Sequence, residues 1–250
     1  MAQPSEQAAP AEPSGQAAPV PPWERPRRAA PRRVFTREAI VTAALHIIDT
    51  EGVDAMTMRR IAQELGTGPA SLYAHVSGRE DLIHLVLDRA LTEVRCPPPD
   101  PQRWQEQIKD VLRLVRRVLV SHGDLARLLP EIGFPTGESV TVTSEAILAI
   151  LASAGLPKQA CAYGVDALSL YVSGIAAEEA VRARSADAGR PAGEALAGRA
   201  DRYIAALPPD RFPMLTGMAA ELTRDVGDER FEFGLDLLLT GLAALAPVRA

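Results

Sequence analysis

The sequence predicts an all-α protein, and three observations predict it. No stretch alternates apolar and polar residues over the length of a strand. Apolar residues recur instead at i, i+3, i+4 and i+7, the one-faced stripe of an amphipathic helix. Glycines, prolines and capping side chains punctuate those stripes at helical lengths. The chain has 250 residues, 47% of them hydrophobic and 24% charged, which permits a globular core in one large domain or two small ones.

Residues 1–33 are rich in Ala, Pro, Gln and Ser and, Trp23 apart, poor in large apolar side chains. They bury too little surface to offset the entropy of ordering, so they read as a disordered tail. Arg25, Arg27, Arg28, Arg32, Arg33 and Arg37 follow one another with no acid between them. That cluster has two readings: an arm on DNA phosphates or in the minor groove, and a solvated basic linker.

Thr36 can cap a first helix striped by Ile40, Ala44, Ile47 and Ile48, which Gly52 stops. Thr57 caps a second, with Met58, Ile61, Ala62 and Leu65 on one face and Gly66 at its end. Thr67 or Gly68 caps a very short third helix with Pro69 in its first turn. There Leu72 and Val76 point one way, while Ser71, Tyr73 and His75 point elsewhere. Two short helices across a tight glycine turn have the form of a helix-turn-helix, whose second helix enters the DNA major groove. An αα-hairpin that merely packs has the same local form. Ser77 and Glu80 make an S-x-x-E capping box for a fourth helix with Ile83, Val86, Leu87, Ala90, Leu91 and Val94. The prolines of CPPPDP, 96–101, then separate a DNA-reading module, 34–95, from a second module, 100–247.

The second module opens with a helix to Ser121 carrying Trp104, Ile108, Val111, Leu112, Val115 and Leu119. A shorter element, Leu125 to Leu129, is stopped by Pro130. Helices are expected over 139–152, over 157–184 with Pro157 in the first turn, and over 195–206. Pro208, Pro209 and Pro213 interrupt the chain beyond the last of these. A closing helix, 228–245, is striped by Phe231, Leu235, Leu238, Leu239 and Leu242 and widened by Phe233 and Leu237. Gly164 and Gly174 lie inside a helical pattern, where each costs about 1 kcal/mol against alanine. Close approach of another helix, or an irregular pocket wall, would account for them.

The net charge of −5 argues against a chain coated with positive charge, though not against a local basic patch. Cys96 and Cys161 form neither a disulfide framework nor a metal knuckle. No apolar run is long enough to span a bilayer, and the N-terminus lacks a signal peptide's apolar region, so a cytoplasmic protein without membrane contact is expected. His46, His75, His84 and His122 show no paired metal-ligand spacing, and G-x-S-x-G, G-x-G-x-x-G and Walker-type loops are missing. No enzyme activity, metal or cofactor is expected.

The block from the first helix with E-G-V at 51–53, through M-T-M-R-R-I-A-Q-E-L-G and S-L-Y-A-H-V, to G-R-E-D-L resembles the N-terminal domain of the tetracycline-repressor-like (TetR) family of regulators. The later chain resembles the ligand-binding domain of tetracycline repressors in V-S-H-G-D at 120–124, A-Y-G-V-D-A-L at 162–168, G-I-A-A-E-E at 174–179 and F-E-F-G-L-D-L-L-L-T-G-L at 231–242. The resemblance implies that the last two long helices pair with those of a second subunit. It implies that Tyr73, His75 and Arg79 hold the DNA backbone. It also places Leu129 where those repressors have a metal-holding histidine, so neither tetracycline nor magnesium is expected, and Glu178 where they have an acid near the metal-bound ligand.

The candidate DNA contacts are Arg37, Thr57, Arg59, Gly68, Pro69, Ala70, Ser71, Tyr73, His75 and Arg79. The candidate effector-pocket residues are Trp104, His122, Phe134, Tyr171, Phe212, Met214 and Met218. The expectation is a homodimeric, ligand-responsive regulator, a repressor that holds a palindromic operator and is released by a small, largely apolar molecule. The different-class alternative is an all-α interaction or small-molecule-binding protein whose helix-turn-helix no longer binds DNA.

Overall fold

The computed structural model describes residues 36–122, 125–133, 136–187, 193–224 and 227–247, without the side chains of 184–187 and 193–197. The expectations for residues 1–33 and for Phe134 lie outside these. The described residues form one compact unit, all-α, with no strand among them.

Five elements build the N-terminal part. Helix α1 (Arg37–Glu51) begins where the Ala39 N–H donates to Thr36 Oγ1 at 3.2 Å, and ends at Gly52, φ 86°. A 3-10 turn, Val53–Ala55, leads to α2 (Met58–Glu64), capped by Thr57 Oγ1, which accepts from the Arg60 N–H at 3.1 Å. Gly66 (φ 65°) closes α2 with a paired-bond C-cap: its N–H donates to Gln63 O at 3.1 Å, and the Thr67 N–H donates to Ala62 O at 2.8 Å. Helix α3 (Pro69–Leu72) starts from Gly68, and α4 is Arg79–Leu91. Ile40, Ala44, Ile47, Ile61, Leu72, Val76, Ile83 and Leu87 make the buried seam between them.

The expected capping box does not form. Gly78 occupies the N-cap of α4, and the Asp81 carboxylate accepts from both the Ser77 N–H (2.9 Å) and the Ser77 hydroxyl (3.0 Å). The acid one position further on reaches back instead of Glu80. Thr57 is the side-chain cap of α2, so Thr57→Ala is expected to destabilise by ~1 kcal/mol. A melting temperature equal to wild type would show that the cap contributes nothing.

Helices α5 (Trp104–Ser121), α6 (Leu129–Ile132), α7 (Glu138–Ser153), α8 (Lys158–Asp187), α9 (Gly193–Ala205), α10 (Pro213–Gly217), α11 (Ala219–Thr223) and α12 (Asp228–Ala243) complete the chain, with a 3-10 turn over Leu125–Leu128 before α6. Pro130 does not stop an element: it lies in the first turn of α6, where a missing N–H costs nothing. Pro213 likewise opens α10 rather than interrupting the chain. Pro157 stands just ahead of α8, its carbonyl accepting from the Cys161 N–H at 3.0 Å.

Helix α8 packs along α5, and α7 packs on α4, α5 and α8. Gln107 is buried and pins the proline segment, accepting from the Asp100 N–H (2.8 Å) and donating to Pro98 O (2.7 Å). Phe231 is fully buried, stacked on Tyr171 with ring centres 5.8 Å apart and lying under the Arg116 guanidinium at 4.5 Å. Arg113 clamps Glu232 through two bonds of 2.7 Å, holding that carboxyl below the usual carboxylate range. Lys158–Ala183 is long and apolar enough to cross a membrane, mean hydropathy 1.3, although polar residues interrupt its sequence. On it Leu168, Val172 and Ala176 are buried in the core, while Tyr163 and Leu170 are exposed.

Glycine does bring α8 and α12 together, though only partly where expected. A Cβ on Gly164 would lie 3.1 Å from Leu242, and one on Gly234 would overlap the Tyr171 hydroxyl. Gly174 is exposed and would meet nothing within 4 Å.

Candidate nucleic-acid interface

Leu72 and Val76 are buried and anchor α3, so its opposite face is presented outward. Gly68, Pro69, Ala70 and Ser71 are on the outside, and Tyr73 is 55% exposed, so its ring does not pack into the core. His75 is half-buried. Small side chains at the start of a short helix would allow its backbone to approach a base-pair edge. Ser71 offers a hydroxyl, Tyr73 a phenol and Ala70 a methyl that suits thymine.

The arginines of this head are not equivalent. Arg60 is occupied by Glu51 (2.6 Å) and Glu64 (2.9 Å). Arg37 donates from Nε to His75 O at 3.2 Å and lies 4.0 Å from Asp81, bridging α1 to the end of the reading segment. Arg79 donates from Nη1 to Met56 O at 2.7 Å and from Nε and Nη2 to the two Glu131 oxygens at 3.1 and 3.3 Å. Arg59 is exposed and has no carboxylate partner among the described residues. It is the guanidinium of α2 left for an anion. Thr57 Oγ1 accepts the capping bond of α2, and its hydroxyl proton remains available to donate.

A second set of polar contacts, not anticipated from the sequence, ties this head to the C-terminal part. The Thr136 N–H donates to His84 Nδ1 at 3.1 Å, and Asp88 accepts from the Ser139 N–H at 2.6 Å and the Val140 N–H at 3.2 Å, capping α7 from α4. A Cβ on Gly137 (φ 147°) would overlap the Asp88 side chain, so glycine makes that approach possible. His122 Nδ1 meets Asp49 at 3.1 Å, and Arg127 meets Asp54 at 3.5 Å. The partners in this set are at least 51 residues apart, too far for any local pattern to announce them.

The six expected pocket residues among the described ones are spread over several elements of the C-terminal part. Trp104 and His122 sit at opposite ends of α5, about 27 Å apart at helical rise. His122 is engaged by Asp49. Tyr171 stacks on Phe231 and donates its hydroxyl to Arg230 O at 3.0 Å. Phe212 is half-buried, and Met214 and Met218 are exposed, on a group of short helices (α9 to α11) that pack on one another. Glu178 is paired with Arg182 at 2.6 Å and with Arg230. An apolar groove of about 560 Å³ lies between α8 and α12, lined by Tyr163, Gly164, Leu168, Leu237, Gly241 and Leu242 among others, and its lining includes none of the six candidates among the described residues. Among the described residues no group of acids, histidines or cysteines could hold a metal ion.

Comparison with known proteins accounts for this arrangement. Residues 40–86 match the profile of bacterial regulatory proteins of the tetR family, and residues 97–246 match that of the tetracyclin repressor-like C-terminal domain. An HTH-type transcriptional regulator of Saccharopolyspora erythraea is 32% identical over 90% of this chain and 92% of its own length. The transcriptional repressor DrrR1 of Streptomyces coeruleorubidus is 27% identical over 91% of this chain and 85% of its own. The crystal structure of the Streptomyces coelicolor TetR family protein ActR in complex with actinorhodin superposes with a TM-score of 0.78 at 42% identity, covering 87% of this chain and all of that one. Matched in order by both profiles, and with an outward-facing reading helix on a buried anchor, the chain belongs to the TetR family of DNA-binding, ligand-responsive transcriptional regulators.

Proposed function

We propose that the protein is a cytoplasmic homodimeric repressor that holds a near-palindromic operator through two copies of α3 and is released by a small, largely apolar molecule. The observation that carries this is the presentation of α3: Pro69, Ala70, Ser71 and Tyr73 outward, Leu72 and Val76 fully inward. In this reading residues 34–95 form the DNA-binding module and residues 100–247 take the effector and the second subunit. Pairing is supported by apolar side chains left exposed on α8 and α12, the two helices that border the groove. Two reading heads would then stand one helical turn apart, ~34–36 Å. An effector binding preferentially to a dimer of different spacing would shift the population away from DNA. Binding of an organic effector has a precedent in the relative ActR, whose structure holds actinorhodin. Leu129 in place of a metal-holding histidine argues against a tetracycline–magnesium complex.

Tyr73→Ala and Arg59→Ala are expected to weaken binding to all DNA sequences alike, because phosphate contacts position a protein without reading bases. Arg59→Ala should also lower the log–log salt slope by ~0.9. Fluorescence anisotropy across a salt series checks both. Unchanged affinity for both variants would favour an interaction protein whose helix-turn-helix has lost DNA.

A further inference from the structure

Arg79 opens α4 beside the reading segment, yet its charge is already taken. Nη1 holds Met56 O at 2.7 Å, which fixes the guanidinium to the head. The Nε/Nη2 edge faces Glu131 at the end of α6, with bonds of 3.1 and 3.3 Å. That edge is the one on which a guanidinium grips a phosphate through two parallel bonds, and a carboxylate there fills the same geometry. The side chains are 41% and 44% exposed, so the pair is open to solvent and to a competing anion. Its acid comes from the C-terminal part, 52 residues away.

We propose that Glu131 is an autoinhibitory stand-in for a DNA phosphate: it occupies Arg79 in the free protein and must be displaced when the head docks. The proposal rests on the DNA-binding reading. Removing the carboxylate leaves Arg79 anchored by Met56 O with its bidentate edge free. DNA affinity then rises rather than falls. The gain is about two- to fivefold, because exposed ion pairs are weak.

The test uses the full chain and the duplex that the wild-type protein enriches from a random-sequence pool. Affinities are measured for wild type, Glu131→Gln, Arg79→Ala and the double variant. The expected result is tighter binding by Glu131→Gln, weaker binding by Arg79→Ala, and no gain from Glu131→Gln once Arg79 is gone. Equal or weaker binding by Glu131→Gln would overturn the proposal, since Glu131 would then be neutral or would orient Arg79 for DNA. A gain that persists without Arg79 would overturn it too, as general relief of repulsion. If the wild type enriches no duplex, the DNA-binding reading itself fails and the proposal with it.

Discussion

Leu237→Glu is expected to leave a folded protein that is monomeric and has lost operator affinity by a factor on the order of 10³ or more. Within one chain Leu237 is 60% exposed, and Phe233 (66%) on α12 and Leu245 (56%) just beyond its end stand out with it. Tyr163 and Leu170 do the same on α8. An exposed glutamate costs the isolated fold little, because surface substitutions usually stay within ~0.5 kcal/mol. In a paired interface the same glutamate would be buried without a partner, which is strongly unfavourable. Each monomer would then hold one half-site, giving up the doubled contacts that two-fold pairing supplies. Analytical ultracentrifugation and circular dichroism on the same sample separate the outcomes. A folded dimer at micromolar concentration would remove α12 from the interface. Leu238, half-buried within the chain itself, would confound folding with pairing.

Phe231→Ala is expected to destabilise the protein by about 3–5 kcal/mol, lowering the melting temperature by roughly 6–20 °C. Phe231 is fully buried where α5, α8 and α12 meet, against the Tyr171 ring and under Arg116. Truncation leaves a cavity there and exposes the face of a guanidinium already committed to Glu179 at 2.5 Å. The Tyr171 hydroxyl bonds go to backbone carbonyls and survive the change. A shift under about 2 °C would mean that the core holding α12 lies elsewhere.

The parts of the molecule legible from sequence are those built by local chemistry. Thr36, Gly52, Thr57 and Gly66 each do what their residue type does at a helix end, and the stripes of α1 and α4 form the core of the head. The reading helix is legible for the same reason: a buried Leu72 forces Ser71 and Tyr73 to the other side. Local rules fail where two residues of similar chemistry compete. Glu80 and Asp81 both stand within reach of Ser77, and geometry selects Asp81. Proline reads as a breaker at Pro130 and Pro213, but its position in a first turn makes it a starter there.

The hidden part is long-range. Arg79 and Glu131, His84 and Thr136, and Asp88 and Ser139 meet only after α4 packs on α6 and α7, and no spacing in the sequence announces them. The effector-pocket candidates rest on residue type, and type alone does not distinguish a wall from a helix-packing contact. Tyr171 is the clearest instance, since it serves to join α8 to α12.

Operator recognition by a dimer is tested most directly by selecting duplexes from a random-sequence pool with the full-length protein and footprinting the enriched DNA. One two-fold-symmetric site is expected, with half-sites about 10 base pairs apart or a multiple of it, protected on one face and bound by a dimer. Failure to enrich any sequence, or an enriched site of a single asymmetric half protected by a monomer, would contradict dimeric operator binding.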